Sequence, residues 1–178
     1  MATSVARRLE QGLQAMFAFA QPLDMTPALP YLNVSNGELL RLFERMQRSE
    51  RLHSLRVLRD VKAEGEADRD LGLAALLHDV GKSCYPLAVW QKTLAVLVRT
   101  FLPRLFERWS RGSPQNPLER PCVVYVRHPD WSAELVEKAG ASEAALWLIA
   151  HHQDEAAQWA GHALHASLVR LQRADEMN

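Results

Sequence analysis

The chain has 178 residues, 48% of them hydrophobic and 24% charged, and its 21 basic side chains are matched by 21 acidic ones. Such a composition suits a globular protein that buries roughly 70% of its unfolded surface in one domain. Zero net charge argues against a broad basic footprint for duplex nucleic acid. No stretch approaches the ~18 apolar residues of a transmembrane helix.

Helical periodicity dominates from the start. Residues 3–20 predict a first amphipathic helix, because Glu10, Gln11 and Gln14 interrupt the unbroken apolar core that a secretory leader needs. Residues 21–34 hold three prolines and are expected to run extended. Ser35 and Glu38 have capping-box spacing, so a helix is expected over the following ELLRLFERMQ. Helices are then expected over 49–64, ending near Gly65, and over 67–80, ending near Gly81. The segment 87–109 reads as one long core helix kinked at Pro103, with a partner or a membrane surface as its alternative role. Residues 110–122 carry Gly112, Pro114, Pro117 and Pro121 and read as a loop. CVVYV at 122–126 has strand character but could also lead into a helix, and further helices are expected over 130–139, 142–157 and 162–175. The sum is an all-α bundle of about seven or eight helices in a single domain.

Chemistry concentrates in a few fragments. His53 lies in phase with Val57 and Val61 and so points to the core. His78 and Asp79 close the apolar run DLGLAALLHD. A carboxylate at a helix C-terminus opposes the helix dipole, so Asp79 implies a nearby cation, and its two oxygens allow it to bridge two ions. Lys82 follows in GKS, where it is either a surface cation or a contact for a metal-bound phosphate. His128 begins an HPD step whose Pro129 suits a first helical turn.

His151 and His152 end AALWLIAHH, and since adjacent helical residues diverge by about 100°, one of them faces any given point. His151 is favoured as the ligand; His152 is left for a third ion, a phosphate or an outer contact. Asp154 and Glu155 read mainly as solvated, and His162 and His165 as ordinary helix residues. Asp175 is expected to complete a first metal shell from the last helix. Imidazoles mixed with carboxylates are ligands for divalent Fe, Mn, Co, Ni or Zn, and the fragments predict a buried metal site, with two ions, fed by several helices. Cys84 and Cys122 lack metal-site spacing and read as free thiols of a reducing compartment. Nucleophile-elbow, phosphate-loop and dinucleotide motifs are absent.

The order His, His-Asp, His, His-His, Asp, with ALLHDVGKS as its most specific part, resembles the HD-domain superfamily of metal-dependent phosphohydrolases over residues 49–175. That resemblance implies an HD-type helical domain at 49–178 with residues 1–48 as a helical extension packed on it. It implies His53, His78, Asp79 and Asp175 around a first divalent ion. In two-ion members, Asp79 would bridge to a second ion held by His128 with His151 or His152. Asp79 and Lys82 are the catalytic candidates, Mg joins the candidate metals, and the implied partner is a small phosphomonoester or phosphodiester, nucleotides included. A cytoplasmic protein is expected, with a homodimer as its candidate assembly. The Gly-Tyr-Pro step of cyclic-dinucleotide phosphodiesterases is missing from HHQDEAAQWAGH, which argues against that substrate. Two other roles stay open within the same resemblance: a two-iron oxygenase and a non-catalytic ligand-sensing module.

Overall fold

The computed structural model describes residues 22–33 and 37–178. The helix expected over 3–20 and the Ser35 cap lie outside the described residues. Within them the chain forms nine α-helices and two 3-10 turns and no strand.

Helix α1 (Leu29–Leu32) starts with a proline in its first turn, and α2 (Glu38–Arg45) buries Leu39, Leu42 and Phe43 at helical spacing. Helix α3 (Arg48–Ala63) opens on a capping box in which Gln47 and Glu50 exchange side-chain and backbone hydrogen bonds. Asp68 caps α4 (Arg69–Leu77) by accepting from Leu71 N–H at 2.8 Å. Every residue from Leu71 to Leu77 is buried, so α4 is hydrophobic all round and forms the central rod of the bundle. It packs on α3, on α8 (Glu143–His151) and on the closing helix α9 (His165–Met177). Arg170 of α9 donates to the carbonyls of Val61 and Gly65 at 2.9 and 3.2 Å, satisfying the end of α3.

After α4 the chain tightens into a 3-10 turn, Val80–Cys84, with Asp79 at its entrance. This turn packs on α7 (Arg120–Lys138) so closely that a Cβ on Gly81 would fall 2.7 Å from Ser132 N and closer still to the His128 carbonyl oxygen. Only glycine fits such a backbone approach. The Gly81 N–H donates to Ser132 Oγ at 2.8 Å. A single core joins Ala28, Leu32 and Phe43 near the start of the described chain to Leu168 and Leu171 near its end.

Five expectations are corrected or resolved. CVVYV, open to either a strand or a lead into a helix, is helical, because Cys122, Val123 and Val124 bury their side chains in α7 and packing overrides β propensity. The helix expected from 130 begins at Arg120, which puts Pro129 inside it rather than at its first turn. The expected helix 142–157 ends at His151 and resumes as a 3-10 turn, Ala156–Trp159, while the last helix starts at His165. The kink at Pro103 is a full break: α5 (Val89–Phe101) stops at Leu102 and α6 (Pro103–Ser110) begins anew, since the residue before a proline is pushed from helical geometry. Nor is α5 a core helix, for Val89, Trp90, Leu97 and Phe101 are exposed.

Candidate metal centre

Five elements deliver side chains to one point. His53 comes from α3, His78 and Asp79 from the end of α4, His128 from α7, His152 from the residue after α8, and Asp175 from α9. His53 Nε2 lies 2.8 Å from Asp175 Oδ1, and His78 Nε2 lies 3.5 Å from the same oxygen. Asp79 divides its oxygens: Oδ2 faces His78 at 3.6 Å and His53 at 3.8 Å, while Oδ1 faces His128 at 3.1 Å and His152 at 4.0 Å. Lys82 reaches over one turn and donates to Oδ2 at 2.6 Å.

The backbone sets the tautomers. Nδ1 of His78 sits 3.1 Å from the Ala75 carbonyl, and Nδ1 of His152 sits 2.7 Å from that of Ile149. A carbonyl only accepts, so both nitrogens carry hydrogen and both Nε2 atoms turn a lone pair inward. His128 reaches the same state through Pro129. Lacking an N–H, the proline leaves the Tyr125 carbonyl without its helical donor, and His128 Nδ1 lies 3.0 Å from that oxygen and 2.9 Å from Val124 O.

Lone pairs therefore meet lone pairs. His128 and His152 oppose their Nε2 atoms at 3.3 Å. His78 Nε2 is buried without a hydrogen-bond partner, its nearest carboxylate oxygens lying at the limit of useful geometry. Burying such atoms unpaired is costly, and a shared cation is what would satisfy them together. Two groups are spaced to hold one: His53, His78 and Asp175, and His78, Asp79 and His152. The donor set of imidazole nitrogen and carboxylate oxygen fits a first-row divalent metal.

The local field agrees. Burial opposes ionisation of Asp79, yet Lys82 and His78 outweigh it and hold the carboxyl well below its usual range. Burial likewise opposes ionisation of Asp175, and the hydrogen bond from His53 at 2.8 Å leads the effects that overcome it and hold the carboxyl well below its usual range. His78 is raised, because the charges of Asp79 and Asp175 overcome its burial. Burial and the neighbouring imidazoles of His78 and His128 push His152 down to about 3. Burial and Lys82 lower His128. Lys82 stays above its ordinary value, since Asp79 overrides the cost of burying its charge.

Between the two adjacent histidines, the structure turns His152 into this cluster and His151 away from it. His151 donates to Asp154 at 2.6 Å and packs between Trp147 and Trp159, 4.7 and 4.4 Å from their rings. Asp154 is thereby bound to His151 and Trp159 Nε1 while staying partly exposed. His162 stacks flat on Trp147 at 3.9 Å, outside the cluster. Arg127 pairs with Asp130 at 3.4 Å and does not line the cavity.

Sequence reasoning passed over Ser132, which positions Gly81, and Gln153, whose Nε2 lies 3.4 Å from His128 Nε2. It also passed over Gln172. From α9 this amide donates to the carbonyl of Asp154 at 2.7 Å and that of His152 at 3.1 Å, tying the helix that bears Asp175 to the turn that bears His152. Its i+3 spacing to Asp175 was the available signal. A cavity of about 410 Å³ opens over His53, Asp79 and Asp175, within the usual range for small-molecule sites. Arg56, Lys82 and Lys92 bring cations to its wall, and Leu52, Leu87 and Val124 make it partly apolar.

The helical bundle thus converges buried imidazoles and carboxylates beneath a small cavity, in groups that could hold a divalent cation. Residues 51–177 match the family described as HD domain, and the chain belongs to that family. No curated protein and no solved structure matches it.

Proposed function

We propose that the protein is a cytoplasmic metal-dependent phosphohydrolase acting on a small phosphomonoester or phosphodiester, nucleotides among them. The observation that carries this reading is the set of inward lone pairs on His78, His128 and His152, buried around Asp79 under a cavity that Arg56, Lys82 and Lys92 line together with carboxylates. His53, His78, Asp79 and Asp175 are the residues that would hold a first divalent ion. Asp79 with His128 and His152 would hold a second. Such ions supply a water of lowered pKa and Lewis-acid contacts to phosphoryl oxygens.

The chain's own groups do the rest. Backbone carbonyls fix three imidazoles in the ligating tautomer before anything binds, so no reorganisation is required. Lys82, kept protonated beside Asp79, would add positive charge where phosphoryl oxygens gain negative charge. Arg56 lines the same cavity, beside Lys92 whose charge is shared with Glu50 at 3.2 Å, and favours an anionic substrate over the oxygenase alternative. The test is a screen of purified protein with Mn²⁺, Fe²⁺, Co²⁺ or Ni²⁺ against nucleotides, sugar phosphates and dinucleotides. Phosphate release well above an Asp79→Ala control is expected; turnover no higher than that control removes the reading.

A further inference from the structure

Helix α5 wears its apolar face outward. Trp90, Leu97 and Phe101 are 53%, 48% and 71% exposed and recur at seven and then four residues, so they line up along one side. Val89 is 67% exposed beside them, and Leu102, 53% exposed, extends the row past the helix end. At about 100° per residue Val89, Thr93, Val96 and Thr100 fall on the same exposed side, and the exposed Arg99 lies next to it. Its buried side is the narrow strip of Gln91, Ala95 and Val98. Scattered exposed hydrophobic residues need no explanation, but a contiguous row marks a contact surface.

Charge narrows the choice of partner. The protein is neutral overall, yet residues 89–111 hold five cations (Lys92, Arg99, Arg104, Arg108 and Arg111) against the single carboxylate of Glu107. Lys92, paired with Glu50 at 3.2 Å, and Arg99, stacked over Tyr125, border one side of the apolar arc, while the exposed Arg104 and Arg108 follow on Phe101 and Leu102. A second copy docked through the same face would set cations against cations, because a two-fold contact presents one patch to itself. An apolar row with an interfacial tryptophan and a basic border matches a surface that is oily beneath and anionic above. No helix among the described residues is long and apolar enough to cross a membrane, so the contact lies in the interface plane. We infer that α5 and the start of α6 seat the protein on the surface of an anionic lipid bilayer.

The inference is independent of the reading of the metal centre. It is tested by co-sedimentation of the full chain with vesicles of phosphatidylcholine, with and without phosphatidylglycerol. Binding is expected to the mixed vesicles, to weaken as salt is raised, and to be unchanged by Asp79→Ala. The triple substitution Trp90→Ser, Leu97→Ser, Phe101→Ser is expected to cut the bound fraction at least tenfold while leaving thermal unfolding unchanged, since all three side chains are exposed. Three results overturn the inference: no sedimentation of the wild type with anionic vesicles, equal sedimentation of the triple variant, or a wild-type dimer that the triple substitution turns into a monomer.

Discussion

Replacing Gly81 with alanine would add one methyl group where two backbones touch. The new Cβ would sit 2.7 Å from Ser132 N, 2.9 Å from Ser132 Oγ and nearer still to the His128 carbonyl. Ordinary contact distance is restored only if the 3-10 turn and α7 separate by about 1 Å, because the obstacles are helix backbone rather than flexible side-chain tips. Overpacking of this kind costs about 1–3 kcal/mol, and losing the Gly81–Ser132 hydrogen bond adds about 1, giving roughly 3 kcal/mol in all. For a chain of 178 residues that lowers the unfolding midpoint by about 6–12 °C. The shift also draws Asp79 and Lys82, flanking Gly81, away from His128, so affinity for Co²⁺ is expected to fall at least about tenfold, the order lost when a ligand is misoriented. Calorimetry and Co²⁺ titration read the two effects separately. Gly161→Ala is the control, since a Cβ there meets nothing within 4 Å. If Gly81→Ala melts as Gly161→Ala does and binds Co²⁺ as the wild type does, the close approach does not hold the centre together.

Other expectations follow from the same geometry. His152→Ala is expected to weaken Co²⁺ binding by about tenfold or more, while His151→Ala leaves it within about twofold; equal losses in titrations of the two variants would contradict the assignment of their roles. Gln172→Ala strands the carbonyls it satisfies and is expected to lower stability by about 1–3 kcal/mol in urea titration, with Gln172→Glu failing to rescue because a carboxylate donates nothing to a carbonyl. Metal-free protein should lose stability on acidification. His152 titrates near 3 when folded and at its ordinary 6.5 when unfolded, so the unfolded chain takes up the proton first and the contribution fades as pH falls from 6.5 toward 3. His128 has the same sign, whereas the raised His78 changes its contribution only above 6.5. Between pH 6.5 and 5 the His152 loss is about 2 kcal/mol, visible as a lower urea midpoint with chelator present, and an unchanged midpoint would refute the burial argument.

Much of the centre was legible because its residues break local rules. Asp79 at a helix end and imidazoles in apolar runs make sense only if something gathers them. Helical phase could even have decided between the paired histidines. Ala145, Leu148 and Ile149 are the buried residues of α8, and position 152 continues their face, whereas 151 continues that of Trp147. Other features lie beyond local pattern. Pro129 carries a strong preference for a first turn, and only the packing of α7 against the Val80–Cys84 turn shows why the helix runs on through it. The outward apolar face of α5 has the same periodicity as an inward one; sequence gives the stripe, and the fold decides which way it turns. Gln172 carries no signature of its own, because its three acceptors are main-chain oxygens from a segment about twenty residues away.

The proline inside α7 inverts a familiar rule of protein engineering. Exchanging it for alanine would improve the helix as a helix, restoring a missing rung of its ladder. That same rung would compete for the Tyr125 oxygen and loosen the grip on His128 Nδ1. Here a sturdier scaffold and a well-aimed imidazole are opposing goals, and a campaign for thermostability alone would select against the aim.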